Sequence, residues 1–356
     1  MKYFRLFVAA CLLAAAGITS AQVTLPQARL SQHAKVTQTV GLSEITIDYS
    51  RPGVKGREVW GKLVPYGMTN LGFGTAKESP WRAGANENTT ITFSDDVKIN
   101  GKYLPAGTYG LHMIPTENEW TIIFNKVSTA WGSFFYDPNM DALRVTATPE
   151  KSDFTEWLMY GFDNLSLASA DVYLKWDNLK IKFTAAFDVN NIRVEKYREA
   201  LVGSGGFNWQ NYQAAAASCL ARNINLDEAE KWIDHSLEIQ KTPTNMLTKS
   251  LFLRKDGKTD EADELFKTAV ENATETDLNN YGYSLINVFN DLEGALKIFK
   301  INIDKFPNSW NVYDSYGEAW SKMGDKENAI KYYKMALDKA PDNQKDRING
   351  IIKNLM

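Results

Sequence analysis

The hydrophobic positions of the C-terminal half recur at helical spacing and at a fixed interval along the chain. Four alanines, Ala229, Ala262, Ala295 and Ala329, are separated by 33, 33 and 34 residues. A bulky apolar side chain follows each alanine four positions later, and a small or polar residue follows three positions after that. Because positions i, i+4 and i+7 lie on one face of an α-helix, the pattern predicts four copies of a helical repeat over 208–341.

The last copy shows the repeat most clearly. Tyr316 and Gly317 fall on its first helix, Tyr333 falls on its second helix, and Pro341 follows the second helix. These positions resemble the tetratricopeptide repeat, a pair of antiparallel helices that stacks into a solenoid. An apolar stripe beside polar residues predicts an amphipathic capping helix over 342–356.

Stacked repeats of this kind form a concave groove, and the resemblance implies that the groove binds proteins or peptides. The repeat pattern places five candidate groove residues on the first helices, namely Asn279, Tyr283, Asn311, Asp314 and Glu318. In the alternative interpretation these residues are solvated, and the repeats pack only against the N-terminal domain. The sequence leaves both interpretations open.

The N-terminal half contains short segments rich in Val, Ile, Thr and aromatic residues, separated by turn residues. The strand-like segments are Glu44–Tyr49, Thr89–Phe93, Thr108–Ile114, Trp120–Asn125, Arg144–Thr148, Asp171–Trp176 and Leu179–Phe187. We therefore predict an α+β multidomain protein, with an all-β antiparallel sandwich or jelly-roll-like domain over 22–190 and an all-α solenoid after it. A charged segment ending in a glycine-rich run predicts a linker over 191–207.

Three motifs stand out in the N-terminal half: YSRPGVKGR at 49–57, WRAGANE at 81–87 and PAGTYG at 105–110. They resemble a family of secreted bacterial domains catalogued only as a domain of unknown function. Members of that family are often followed by tetratricopeptide repeats. The resemblance covers about residues 25–190 and implies a fold and an export route without supplying an activity.

Cations and aromatic residues are interleaved in the loop-like motifs of this domain. The candidate ligand-binding residues are Arg51, Lys55, Arg57, Trp60, Tyr66, Trp81, Arg82, Asn86 and Glu87. Guanidinium groups suit carboxylate, phosphate or sulfate, and aromatic faces suit sugar rings, so the cluster predicts a pocket for an anionic or glycan-like ligand. In the alternative interpretation, Arg82–Glu87 or Arg57–Glu58 ion pairs hold the loops and the tryptophans belong to the core.

The N-terminus has the pattern of a secretory signal peptide. Lys2 and Arg5 precede an apolar run from Leu6 to Ile18, and small residues lead to a cleavage site after Ala21. We therefore expect residues 1–21 to be removed and the protein to be periplasmic or secreted. A lipoprotein, acylated at Cys11, is the less favoured alternative, because the apolar run continues beyond that residue.

Composition narrows the classes of function. The chain has 40 Lys and Arg against 43 Asp and Glu, without the basic excess that nucleic-acid binding needs. Without the signal peptide, Cys219 is the one cysteine that remains, so we expect no internal disulfide. The three histidines, His33, His112 and His235, lack the spacing of metal ligands, and we predict neither a metal nor a cofactor.

The function that these features predict is binding or scaffolding in the cell envelope, with a protein partner in the helical groove and a ligand in the β domain. The alternative, from another class, is a carbohydrate-active or other hydrolytic enzyme with its site in the β domain. Paired carboxylates would carry such an activity, and Glu87, Asp95 and Asp96 are the first candidates. A cleft with convergent carboxylates would favour the enzyme, whereas cations and aromatic residues without them would favour binding.

Overall fold

The computed structural model describes residues 28–356, so the predicted signal peptide over 1–21 lies outside the described residues. The chain divides into two units, and the boundary lies between Phe187 and Asp188. No helix within 28–356 is long and apolar enough to cross a membrane.

The first unit consists of antiparallel strands in two sheets. The strands are β1 (Gln32–Val40), β2 (Ser43–Arg51), β3 (Thr90–Phe93), β4 (Val97–Ile99), β5 (Lys102–Leu104), β6 (Gly107–Ile114), β7 (Trp120–Asn125), β8 (Asp141–Ala147), β9 (Glu150–Asp163) and β10 (Ser169–Phe187). One sheet has the order β1-β2-β3-β6-β7-β8, and the other has the order β5-β4-β10-β9. All the pairings between these strands are antiparallel.

The core of the first unit lies between the two sheets. The ring centroids of Phe124 in β7 and Phe183 in β10 are 5.4 Å apart, and those of Tyr49 in β2 and Tyr160 in β9 are 4.8 Å apart. Alternate residues of β10 are buried, as expected for a strand with one face on a core. This packing confirms the predicted antiparallel, sandwich-like fold.

The strands that the sequence did not predict lie mainly at sheet edges or across turn residues. β1 is mostly polar and pairs with β2 through a tight turn at Gly41, which has a φ of 62°. β9 runs through Gly161, where the missing side chain leaves room for the ring of Tyr173 on the paired strand. β10 is continuous, because a register shift around Asp177 absorbs the predicted break.

The second unit is helical. Its α-helices are α1 (Val189–Val202), α2 (Trp209–Arg222), α3 (Leu226–Ile239), α4 (Pro243–Lys255), α5 (Thr259–Val270), α6 (Glu275–Phe289), α7 (Leu292–Lys305), α8 (Trp310–Met323), α9 (Lys326–Lys339) and α10 (Asp342–Leu355). The pairs α2/α3, α4/α5, α6/α7 and α8/α9 form four repeats. The last helix, α10, packs against α9 and buries Ile348 and Ile352.

Small residues allow close contact within each helix pair, as the repeat pattern predicts. The four alanines that define the repeat, at 229, 262, 295 and 329, are completely buried. A Cβ atom on Gly282 of α6 would lie 2.5 Å from the ring of Phe299 on α7. A Cβ atom on Gly317 of α8 would likewise lie 3.2 Å from Tyr333 on α9. The solenoid of tetratricopeptide-type pairs is therefore confirmed.

The predicted linker over 191–207 is wrong, because most of this segment is helix α1. Ile192, Val194 and Leu201 are buried on α1, and Arg198 forms an ion pair with Glu228 of α3. The glycine-rich run forms a short 3-10 turn, Ser204–Phe207, instead of a flexible connection. The segment is charged overall, so its few buried positions did not produce a clear helical pattern.

Candidate functional site

The long loop between β2 and β3 encloses a cavity of about 370 Å³ in the first unit, here called the loop cavity. Its lining residues are Ser31, Pro52, Arg57, Leu63, Val64, Pro65, Gly67, Thr69, Leu71, Ser79, Pro80, Trp81, Arg82, Gly84, Ala85, Asn86, Ser133 and Trp176. Backbone hydrogen bonds of 2.8 Å in both directions between Trp81 and Met113 anchor the loop to β6. The lining has two cations and no carboxylate, so its net charge is positive.

Four of the nine predicted ligand-binding residues line the loop cavity: Arg57, Trp81, Arg82 and Asn86. The other five, which lie outside this lining, are Arg51, Lys55, Trp60, Tyr66 and Glu87. The Nε atom of Arg51 donates to the carbonyl oxygen of Leu158 at 2.8 Å, and Lys55 lies over the ring of Trp157. The structure thus brings together only part of the predicted cluster.

The two arginines of the cavity bond to backbone carbonyl oxygens instead of carboxylates. Arg57 donates to the carbonyl oxygens of Val54 at 3.0 Å and Gly53 at 2.6 Å. Arg82 donates through Nη1 to the carbonyl oxygen of Asn86 at 2.6 Å. Among the described residues, no carboxylate lies within ion-pair distance of either guanidinium group.

The ion pairs of the alternative interpretation, Arg82–Glu87 and Arg57–Glu58, are therefore not formed. Glu87 instead forms an ion pair with Arg29, and this hydrogen-bonded partner keeps the pKa of Glu87 below its ordinary value despite its partial burial. Loop arginines do hold the loops, as that interpretation expected, but they act through carbonyl oxygens.

Arg82 is a half-buried cation without a counter-ion in the part of the chain that the structure describes. Its guanidinium carbon lies 5.1 Å from the centroid of the Phe134 ring, and it packs so closely on Gly132 that a Cβ atom there would lie 2.3 Å from Nη1. Burial lowers the pKa of Arg82, because removal from water disfavours the charged form. An arginine nevertheless stays protonated at neutral pH, so the cavity wall carries a positive charge that is incompletely solvated.

The tryptophans of the predicted cluster serve mainly as core. The ring of Trp60 lies 4.8 Å from that of Trp120 and 5.7 Å from those of Trp81 and Trp176. Trp81 stacks on Trp176 at 6.0 Å with an interplanar angle of 16°. Trp81 and Trp176 also line the loop cavity, so one side of the aromatic cluster forms an apolar wall.

A buried histidine lies behind the wall of the loop cavity. Ser133 lines the cavity, and its Oγ atom shares a hydrogen bond of 2.9 Å with Nδ1 of His112 in β6. Burial lowers the pKa of His112 to about 4; the charge of Asp141 raises this pKa by less, and the charge of Arg82 lowers it further. His112 is therefore neutral at pH 7 and adds no charge to the cavity.

The carboxylates proposed for a hydrolytic site serve structural roles. Asp96 accepts hydrogen bonds from the Tyr103 hydroxyl at 2.6 Å and the Ala106 amide at 2.8 Å. Asp95 accepts one from Ser94 at 2.7 Å, and both aspartates lie in the turn before β4. Neither these aspartates nor Glu87 line the loop cavity, so this cleft lacks the convergent carboxylates that would favour the enzyme.

A second cavity, of about 300 Å³, lies on the first helices of the first three repeats and is here called the open groove. Its lining residues are Gln213, Ala217, Leu220, Ala221, Thr244, Leu247, Thr248, Leu251, Asp277, Asn280, Tyr281, Tyr283, Ser284 and Val288. The buried side chains of Leu220, Leu247 and Leu251 make the floor of the groove largely apolar. Hydroxyl and amide groups complete the lining, whose described residues include no lysine or arginine. Asp277, its one carboxylate, accepts hydrogen bonds from Thr244 and Thr274.

The predicted groove residues of the fourth repeat bond to neighbouring helices. Asp314 forms an ion pair of 3.0 Å with Arg347 of α10, and Glu318 accepts a hydrogen bond of 2.7 Å from Tyr283 of α6. Asn311 donates to Glu275 at 3.1 Å. We call this bonded set the closed end of the groove.

Of the five predicted groove residues, Tyr283 alone lines the open groove. Tyr283 therefore belongs to both the open groove and the closed end, since its hydroxyl donates a hydrogen bond to Glu318. Asn279 lies outside the lining, and its buried Oδ1 atom has no hydrogen-bond partner among the described residues.

The described residues, 28–356, contain no group of three or more His, Cys, Asp and Glu side chains that could hold a metal ion. Cys219 is a buried free thiol. Its pKa is raised by burial, so the nucleophilic thiolate form is disfavoured.

The two units match two protein families. Residues 31–185 match the family described as a protein of unknown function, DUF2911, and residues 315–343 match the tetratricopeptide repeat. The first unit contains a DUF2911 domain. The predicted resemblance is thereby confirmed, and the tetratricopeptide repeats support interaction with a protein or peptide. No curated protein sequence matches this chain.

Several solved structures are similar to part of the chain. MamA from Desulfovibrio magneticus RS-1 has 16% identity and a TM-score of 0.28, over 41% of this chain and 82% of that protein. YrrB, described as a tetratricopeptide repeat protein with an unusual peptide-binding site, has 18% identity and a TM-score of 0.26, over 44% and 84%. PilF from Pseudomonas aeruginosa has 18% identity and a TM-score of 0.30, over 46% and 68%.

The sequence motifs found part of the cavity of the DUF2911 domain and missed the rest. Leu71 and Ser133 also line the cavity, although neither was among the predicted residues: Leu71 lies near two glycines, and Ser133 lies within the aromatic run over 131–136. Ser133 reaches the site because its carbonyl oxygen accepts a hydrogen bond of 2.8 Å from Ser79 of the long loop. A contact across 54 positions leaves no local signal in the sequence.

Proposed function

We propose that this protein is an exported binding protein that holds an uncharged, apolar segment of another protein in the open groove. The observation that carries the proposal is the lining of the groove, with an apolar floor across α2, α4 and α6 and no basic residue. Burying apolar surface drives binding, and the carboxamide of the exposed Asn280 can bond to an extended backbone. A negatively charged segment would find no counter-ion among the described lining residues, and the two hydrogen bonds from threonine hydroxyls make Asp277 less available to a positively charged one.

Replacing Ala217 with arginine tests this proposal, because the long charged side chain would fill the apolar floor of the groove. Thr268→Arg is the matched control, since it adds the same side chain at an exposed position of α5. Proteins bound to each variant in a periplasmic extract are identified by mass spectrometry. A peptide from any partner is then titrated against the purified chain.

We expect the partner and its peptide to bind the original chain and Thr268→Arg but not Ala217→Arg. Circular dichroism must show the same helical content in all three proteins. Equal binding of the peptide by Ala217→Arg would refute the open groove as the binding surface.

Export is the second part of the proposal. It is supported by residues 1–21, in which positive charges are followed by an apolar run and then by small residues. N-terminal sequencing of the protein from fractionated cells tests it. A chain that starts at Gln22 in the periplasm or medium is the expected result. A diacylated mass with Cys11 at the N-terminus would instead establish a lipoprotein, and an uncleaved cytoplasmic chain would refute export.

We propose as a second function that the DUF2911 domain binds an anionic or glycan-like ligand in the loop cavity. Its support is the pair of arginines, Arg57 and Arg82, that line the cavity without a carboxylate partner among the described residues. Screening the purified chain against arrays of glycans and of small anions tests this function. Failure to bind any member of either array would refute it.

A further inference from the structure

The loop cavity contains two cations but no acidic side chain among its described lining residues. Its lining has the two guanidinium groups of Arg57 and Arg82, and its described residues include no Asp, Glu or Lys. A cation removed from water is costly unless an anion or hydrogen-bond acceptors replace the water. The carbonyl acceptors of Arg57 and Arg82 satisfy only some of their N–H groups.

The carbonyl hydrogen bonds also fix how the two guanidinium groups are oriented. Arg57 is held at Nε and Nη2, and Arg82 is held at Nη1 and against the Phe134 ring. Fixed donors lose little conformational freedom when they bind a ligand. Each arginine, anchored in this way within the cavity lining, can act as a preformed donor to an oxyanion.

Much of the remaining wall of the cavity is apolar. Its apolar side chains include Leu63, Val64, Pro65, Leu71, Pro80 and Trp81. A volume of about 370 Å³ falls within the range of small-molecule pockets. An inorganic ion would leave most of this wall in contact with water, whereas a ligand with an apolar body would cover it.

A neutral sugar fits this lining less well. Sugar hydroxyls donate hydrogen bonds, and carboxylates are strong acceptors for them. The described lining offers no carboxylate, and its net charge is positive. The chemistry therefore favours an anion over a neutral glycan.

We infer that the loop cavity binds a small amphipathic oxyanion, in which an apolar body packs on the Trp81 side and a carboxylate or phosphate group contacts Arg57 and Arg82. The inference rests on the proposed ligand-binding function of the DUF2911 domain and makes its ligand class specific. It is independent of the helical groove.

Isothermal titration of the purified chain with four probes tests the inference. Phenylacetate and phenyl phosphate supply an apolar ring with either oxyanion, phenylacetamide has nearly the same shape as phenylacetate without the charge, and methyl glucoside is a neutral sugar. We expect phenylacetate, phenyl phosphate or both to bind, and phenylacetamide to bind at least about 10-fold more weakly, since hydrogen bonds to charged groups contribute more. The better of the two oxyanions identifies the headgroup.

Three variants show which residues carry the effect. Arg82→Met and Arg57→Met should each weaken binding of the oxyanion by about 10-fold or more. Arg51→Met is the matched control, because Arg51 also bonds to a backbone carbonyl oxygen, that of Leu158 in β9, but lies outside the cavity lining. Near-UV circular dichroism checks that each variant keeps its packed aromatic core.

Three results would overturn the inference: equal binding of phenylacetate and phenylacetamide, an equal loss of affinity in Arg51→Met, or no binding of either oxyanion. Binding of methyl glucoside alone would overturn the inference and leave the broader ligand-binding function standing. If Arg82→Met fails to fold, the folded Arg57→Met variant and the comparison of phenylacetate with phenylacetamide still decide the question.

Discussion

Polar side chains at the closed end of the helical groove bond to each other, whereas the two arginines of the loop cavity bond only to backbone carbonyl oxygens. Asp314 has Arg347 as its counter-ion, and Glu318 accepts from Tyr283. Arg57 and Arg82 have no such counter-ion within the described chain. Charged side chains predicted to bind a ligand therefore stabilise contacts between helices at the closed end, whereas those of the loop cavity keep N–H groups available for a ligand.

Of the five residues predicted to line the groove, Tyr283 lines the open groove, and the reason lies in contacts between repeats. The repeat pattern identifies which residues lie on the first helices but not which of them bond across to the next repeat. The contacts of Tyr283 with Glu318 and of Asp314 with Arg347 join residues 35 and 33 positions apart, close to one repeat length. Contacts of the same spacing also join Gln213 to Thr248 and Thr244 to Asp277 in the open groove, so the closed end differs from it by the ion pair of Asp314 with α10.

The largest effect that we predict concerns His112, which underlies the claim that the loop cavity has a neutral rear wall. The pKa of His112 is about 4 in the folded protein against an ordinary value of 6.5, so the unfolded chain binds more protons between these values. The free energy of unfolding should therefore fall as the pH decreases from 6.5 to about 4, by roughly 3 kcal/mol from this residue. Its contribution is fully present above pH 6.5.

Urea unfolding of the original chain and of His112→Asn over this pH range measures the effect, since asparagine can keep the hydrogen bond to Ser133. We expect the variant to lose the His112 part of the pH dependence. His235→Asn serves as the control at an exposed position of α3. An unchanged pH dependence in His112→Asn would show that the folded protein leaves the pKa of His112 near its ordinary value, so that His112 adds charge to the cavity wall in mild acid.

The ion pair of Asp314 with Arg347 should stabilise the fold at the closed end of the groove. Replacing Arg347 with methionine leaves the Asp314 carboxylate, whose side chain is 12% exposed, without its counter-ion. Burial already raises the pKa of Asp314 while Arg347 lowers it, so the variant should raise this pKa further. We expect a loss of about 1–3 kcal/mol in the free energy of unfolding at neutral pH.

Chemical denaturation at neutral and acidic pH measures this loss. It should shrink in acid, because a protonated Asp314 no longer needs a counter-ion. Lys345→Met, on the same helix, breaks only the exposed pair with Asp342 and should have little effect. If Arg347→Met keeps full stability but loses a peptide partner, the fourth repeat belongs to the binding surface.

The two units also differ in how much of them could be predicted from sequence. In the helical unit each repeat depends on contacts between neighbouring helices, so Ala295, Phe299 and Gly282 reveal the fold through local spacing. In the β domain the cavity depends on loops that meet from distant positions, as with Arg82 and Ser133. The motifs identified the arginines because their chemistry is unusual in loops, and they missed Ser133 because serine is common there.

The error at the linker has a similar physical origin. Glycine-rich sequence is typical of flexible connections, but Gly206 is required here because its backbone packs against the carbonyl group of Leu201 at the end of α1. A glycine-rich run can therefore indicate either two backbone segments in close contact or a flexible connection. Sequence composition alone does not distinguish the two, whereas the burial of Leu201 does.

The smallest effect that we predict is at Glu318, where the two ends of the groove meet. In Glu318→Gln, the amide oxygen can still accept the hydrogen bond from Tyr283, and the variant loses only the exposed pair with Lys322 four positions on. We therefore expect a change below about 0.5 kcal/mol in the free energy of unfolding.

The affinity of Glu318→Gln for a peptide partner should be unchanged, because the Glu318 carboxylate accepts its hydrogen bond from Tyr283. Denaturation and peptide titration beside Ala217→Arg measure both quantities; a loss of affinity comparable to that of Ala217→Arg would extend the binding surface over the closed end.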